Sequence, residues 1–99
     1  MPRKPVAKAV ATITPEQVSG MSLSAIARFI ARDWPRPYFG SVPYIEAMLS
    51  LESLDENFGF DSAREIVQRF LANAQTYRGP DARVIKAELN TRLRKRGAA

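Results

Sequence analysis

The side chains able to do chemistry in this chain are mostly cations, and they gather at its two ends. Arg92, Arg94, Lys95 and Arg96 crowd into RLRKR near the C-terminus, with Arg83 and Lys86 shortly before them, while Arg3, Lys4 and Lys8 stand near the N-terminus. Arginine and lysine at that density neutralise phosphates, and each contact releases condensed counterions. A basic N-terminal arm adds contacts along a groove. These nine residues form the candidate nucleic-acid-binding set. A structural explanation competes with it: cations at a helix C-terminus meet the negative end of the dipole and keep a protein soluble.

The distribution of charge says more than its total. The net charge is +5 and the isoelectric point about 10.1. Residues 1–13 contribute +3 and residues 83–99, with six cations against Glu88, contribute +5; residues 14–82, with six arginines against nine acids, contribute −3. Basic ends on a mildly acidic body imply an anionic partner met by the ends.

Catalysis is disfavoured by what is missing. The 99 residues include no histidine and no cysteine, so the commonest general base and the strongest ordinary nucleophile are absent. No serine lies beside any of the lysines in sequence, and carboxylate pairs drawn from Glu46, Glu52 and Asp55 arise by chance in most domains. Read as a calcium loop from Asp55, the chain puts Phe60 where glycine is required and Ile66 where glutamate is required. There is no GxxxxGK[ST] and no GxGxxG. The expectation is a non-enzyme with no catalytic residues, no metal, no cofactor and no small-molecule substrate.

DWPRPYFGSVPY, residues 33–44, concentrates aromatics and prolines. Arg32, Trp34, Arg36, Tyr38 and Phe39 resemble a platform on which bases stack. They equally resemble a corner whose rings plug the end of a helical bundle, since a small domain needs its large side chains in the core. The corner is the preferred reading, with Trp34 and Phe39 buried. Arg36, Tyr38 and Tyr44 then remain as candidate protein-interface residues, because Tyr and Arg anchor interfaces well.

The elements that must position these groups are helical. Thr14-Pro15-Glu16-Gln17 matches a capping box with proline at the first helical position, and Gly20 keeps that helix short. Ser22 restarts the chain; Leu23, Ile26, Ala27, Ile30 and Trp34 fall at helical spacing, and Pro35 ends the run. Ser41 caps a third helix over about 42–53 with an acidic outer face. Residues 55–60 form a turn around Gly59, and Asp61 caps what reads as the longest helix, about 62–77. Gly79 and Pro80 stop it. A last helix begins near Asp81, turns Val84, Ile85, Leu89 and Leu93 inward and Arg83, Lys86, Asn90 and Arg94 outward, and frays at Gly97. VPYI is the only candidate strand, and its proline demotes it. The fold expected is all-α: a compact orthogonal bundle of four main helices plus a short N-terminal one, spanning 14–96, with 1–13 a disordered basic arm and 97–99 a frayed tail. A helix-turn-helix is disfavoured, because eight residues part Trp34 from the next helix where three or four are usual.

No apolar run approaches the ~20 residues a membrane span requires, and the apolar part of the N-terminal stretch is too short for a signal peptide. A cytoplasmic chain with no membrane partner is expected.

The segments LSAIARFIARDWPRPYFGSVPYIEAM and ENFGFDSAREIVQRFLANAQTYRGPDARVIKAEL resemble a group of small proteins encoded by actinobacteria and their phages, whose members carry similar YFG-VPY, YGYDS, FLANA-T-RG and ARR-KAEL segments. The resemblance covers roughly residues 22–90 and omits both basic ends. Phe60 stands where that group has tyrosine, and Tyr77 where it has tryptophan. The group has no assigned activity, so it lends no site residues. It implies a phage or mobile-element setting and, for phage-encoded members, the host cytoplasm. Three functions are carried forward in order: association with nucleic acid through the basic termini; inhibition or redirection of a host protein through the 33–44 connector or the acidic 52–61 loop; and a structural virion role, which requires self-association as a homo-oligomer.

Overall fold

The computed structural model describes residues 10–95. In chain order these form α1 (Pro15–Ser19), α2 (Leu23–Asp33), α3 (Val42–Met48), β1 (Asn57–Phe58), β2 (Asp61–Ser62), α4 (Ala63–Ala72) and α5 (Pro80–Arg94), with one 3-10 turn at Phe39–Ser41. About 59% of the chain described is helical.

Local chemistry starts and stops these helices much as the side chains dictate. Thr14 and Gln17 close the capping box at α1, and Gly20 ends it. Ser22 accepts from the Ala25 amide to begin α2, which ends at Asp33, two residues before Pro35. Two assignments move by a residue or change role. Ser62, not Asp61, caps α4, in a reciprocal box with Glu65. Ser41 precedes α3 but does not cap it; its buried hydroxyl donates instead to the Tyr38 carbonyl.

Three expectations are corrected. The turn at 55–60 is a two-stranded antiparallel hairpin with Asn57 opposite Ser62 and Phe58 opposite Asp61. Gly59, at φ +62°, takes the first loop position that glycine fills in two-residue hairpins. Second, α3 has seven residues rather than about twelve, because the chain turns at Leu49 and Ser50. The main-chain carbonyl of Glu52 is thereby brought to the Leu23 amide at the start of α2. Third, α4 stops at Ala72, and the longest helix is α5 with fifteen residues. Among the described residues, three helices of ten or more residues carry the fold, rather than four.

One core runs through all of them. Val18, Leu23, Ile26, Ile30, Met48, Val67, Phe70, Ile85 and Leu89 are fully buried together. Each contributes about 1.5–3 kcal/mol by leaving water. Packing joins α3 to α2 and α4, and α5 to α1, α2 and α4. The arm expected over 1–13 lies mostly outside the described residues. Its last part packs onto the body: Ile13 is buried, and Asp81 accepts from the Thr12 and Ile13 amides and the Thr12 hydroxyl.

Candidate nucleic-acid interface

α5 is prepared for its charges by its start. Gly79 has φ +118°, a conformation that side chains with a Cβ rarely adopt, and Pro80 follows at the first helical position. The helix then sorts its side chains by flank. Ala82, Ile85 and Leu89 are buried. On one flank both acids are used inside the fold: Asp81 holds Thr12 and Ile13, and Glu88 accepts from Arg92 Nε at 2.6 Å. On the other flank stand Arg83, Lys86, Asn90 and Arg94. Their spacing of three, four and four residues keeps them on one stripe, about 16 Å long at 1.5 Å per residue.

The stripe opens on a cleft of about 190 Å³ lined by Tyr77, Arg78, Gly79, Ala82, Arg83 and Lys86. Three cations and no carboxylate line it. Lys86 Nζ lies 5.7 Å from the centre of the Tyr77 ring. Loss of water around the ammonium, and then the nearby charge of Arg78, lower the Lys86 pKa from its ordinary value. Among the described residues, none of Arg78, Arg83 and Lys86 makes an ion pair. Tyr77 beneath them is 1% exposed. Its hydroxyl donates to Asp33 at 2.9 Å, and its ring stacks on Trp34 at 5.1 Å and 19°. Burial, then the hydrogen bond to Asp33 and the charges of Asp33 and Asp81, raise the Tyr77 pKa far above its usual range. Tyr77 is therefore a neutral floor to the cleft.

The expected nucleic-acid set is only partly assembled. Arg83, Arg94 and Lys95 are exposed and Lys86 half-exposed; Arg94 donates to Thr91 Oγ1 at 3.3 Å. Arg92 is spent inside the fold. Besides Glu88, it donates to the carbonyls of Val18 and Met21 at 2.9 and 2.8 Å, and to that of Ser19 at 3.4 Å, closing the C-terminal end of α1. Its guanidinium is thus engaged within the fold rather than with the candidate set. Arg3, Lys4, Lys8 and Arg96 lie outside the described residues. Arg78, absent from the expected set, lines the same cleft as Arg83 and Lys86, five residues before Arg83 across Gly79-Pro80.

The corner reading of 33–44 holds for Trp34 and fails for Phe39. Trp34 packs against the core, whereas Phe39 is 78% exposed beside Tyr38 at 47%, their ring centres 4.9 Å apart. Arg36 is exposed, and Tyr44 is half-buried against the core. Among the described residues no group of three acidic side chains is arranged to hold a metal ion, and no helix is long and apolar enough to cross a membrane. Comparison with known protein families, curated proteins and solved structures finds no match for this chain.

Proposed function

We propose that this chain is a non-enzymatic protein that associates with nucleic acid through the phosphates, on the α5 face formed by Arg78, Arg83, Lys86, Arg94 and Lys95, with Arg3, Lys4, Lys8 and Arg96 adding charge from the ends. One observation carries the reading. On α5, Asp81, Glu88 and Arg92 are engaged within the fold, whereas Arg83, Lys86 and Arg94 make no ion pair among the described residues, and the cleft at Arg83 and Lys86 has no carboxylate. A solubilising surface interleaves both signs; a segregated one attracts a polyanion. The contacts are to the backbone, so little sequence preference follows. A phage or mobile-element role in the host cytoplasm, as the resemblance implies, is part of this proposal.

The test separates placement from total charge. Arg83→Glu with Arg94→Glu on α5 is compared with Arg28→Glu with Arg32→Glu, two exposed positions of α2. Both pairs change the net charge equally. Binding of a labelled random-sequence oligonucleotide is expected to be lost in the α5 pair and largely kept in the α2 pair. Equal weakening of the two contradicts the reading.

A second reading, a protein-interaction module, is favoured by the hairpin tip. Phe60 is fully exposed and Phe58 about half, with Asp55, Glu56 and Asp61 around them. Under that reading Phe60→Ser abolishes function and the α5 pair does not.

A further inference from the structure

The loop joining α4 to α5 has a second wall, just before the cation cleft. Tyr38, Ala72, Asn73, Gln75 and Thr76 line an open cleft of about 310 Å³. The loop then runs through Tyr77 into Arg78, whose Nε donates to the Gln75 carbonyl at 3.2 Å. Three residues of chain span at most ~10 Å, so both clefts lie within reach of a few consecutive nucleotides of one strand.

The Tyr38 ring of this wall packs close against the backbone at Gly40. A Cβ at Gly40 would stand 2.6 Å from Tyr38 Cε2 and 2.9 Å from Asn73 Oδ1. The tyrosine ring therefore lies over chain that only glycine leaves clear. Phe39 stands beside it, exposed, although a domain this small ordinarily buries such a ring. The polar part is unspent. The Asn73 amide nitrogen donates to the Arg69 carbonyl, but its Oδ1 and the side chains of Gln75 and Thr76 make no hydrogen bond among the described residues. Aromatic faces, amide and hydroxyl groups, and adjacent cations match an unpaired base on its sugar-phosphate backbone, because every base has a face to stack and an edge to hydrogen-bond. A duplex keeps those faces stacked and paired.

We propose that Tyr38, Phe39 and the Asn73–Thr76 cleft form a base platform, so that the nucleic acid this protein takes is single-stranded, with phosphates on Arg78, Arg83 and Lys86 and an unstacked base against Tyr38. The proposal rests on the phosphate-binding reading of α5.

The test is fluorescence anisotropy of the full chain with labelled oligothymidylate and with a labelled duplex of equal length, in one buffer. The single strand is expected to bind about 10-fold tighter or more. Tyr38→Ala and Phe39→Ala should each weaken single-strand binding about 5- to 50-fold and leave duplex binding unchanged, while Tyr38→Phe retains the wild-type preference. Melting curves separate lost stacking from lost folding, and the exposure of Phe39 makes its truncation the safer of the two. Wild-type single-strand affinity in both alanine variants, or a duplex bound as tightly as the strand, overturns the base platform and leaves the α5 surface standing. Binding to neither nucleic acid overturns both.

Discussion

The ammonium of Lys86 stands over the Tyr77 ring, partly shut off from water and facing Arg78. A lysine whose folded pKa is lowered gives up its proton sooner in the native chain than in the unfolded one. Between that lowered pKa and the ordinary 10.5, the unfolded state holds more protons, so this residue's contribution to stability improves as pH rises and is unfavourable below the window. At neutral pH, Lys86→Met is therefore expected to melt higher than wild type and to bind nucleic acid more weakly. A lower melting point with unchanged affinity would make Lys86 a packing residue. Tyr77 carries the opposite sign. Its folded pKa is raised, so its stabilisation is complete below the ordinary value of 10.0 and is lost as pH climbs past it, where the unfolded chain ionises. Tyr77→Phe is expected to cost about 1–2 kcal/mol at neutral pH through the lost bond to Asp33. Denaturant titrations at neutral and alkaline pH should show a smaller alkaline loss in the variant. Neither role was readable from spacing alone: Tyr77 continues the Phe70–Ala74 spacing beyond the end of α4, and its partner Asp33 is 44 residues away.

The tie between α1 and α5 is a matter of elements, and it runs through Arg92. Five-residue helices are marginal by themselves; α1 persists because Val18 is buried and because Arg92 closes its carbonyl end. Arg92→Met leaves Glu88 half-buried without its partner and those carbonyls without a donor. A loss of about 2–4 kcal/mol is expected, with nucleic-acid affinity retained, measured by thermal melts beside anisotropy. Element starts were legible where a capping side chain lies close in sequence to the amide it serves, Thr14 with Gln17 and Ser22 with Ala25, whereas Gly79-Pro80 reads in the sequence as the end of the preceding helix although Pro80 opens α5. At α4 the same rule pointed to Ser62 with Glu65, and preferring Asp61 slipped by one residue. Element lengths were less legible. Leu49, Leu51 and Leu54 keep a helical spacing past the end of α3, yet Glu52 is drawn to the start of α2, a contact 28 residues long. The strands of two residues each are too short to show alternation.

At the scale of the molecule, the placing of basic residues at the ends was legible, and the cleft was not. Arg78 and Arg83 converge only because the chain reverses at Gly79 with φ +118°, and Arg92 leaves the set only because α1 folds back onto α5. What remains is a row of cations from Arg78 to Lys95 along α5, beside exposed arginines at Arg28, Arg32 and Arg36, and outer ends that add four more. The most direct measurement is the dependence of nucleic-acid affinity on salt for the full chain. Five phosphate contacts from α5 and Arg78 correspond to a slope of log K against log salt of roughly −3.5 to −4.5, which contacts from the basic ends make steeper. Arg83→Ala with Arg94→Ala should flatten it by about 2. A slope near zero, or the same slope in wild type and the double variant, would contradict phosphate binding on this face.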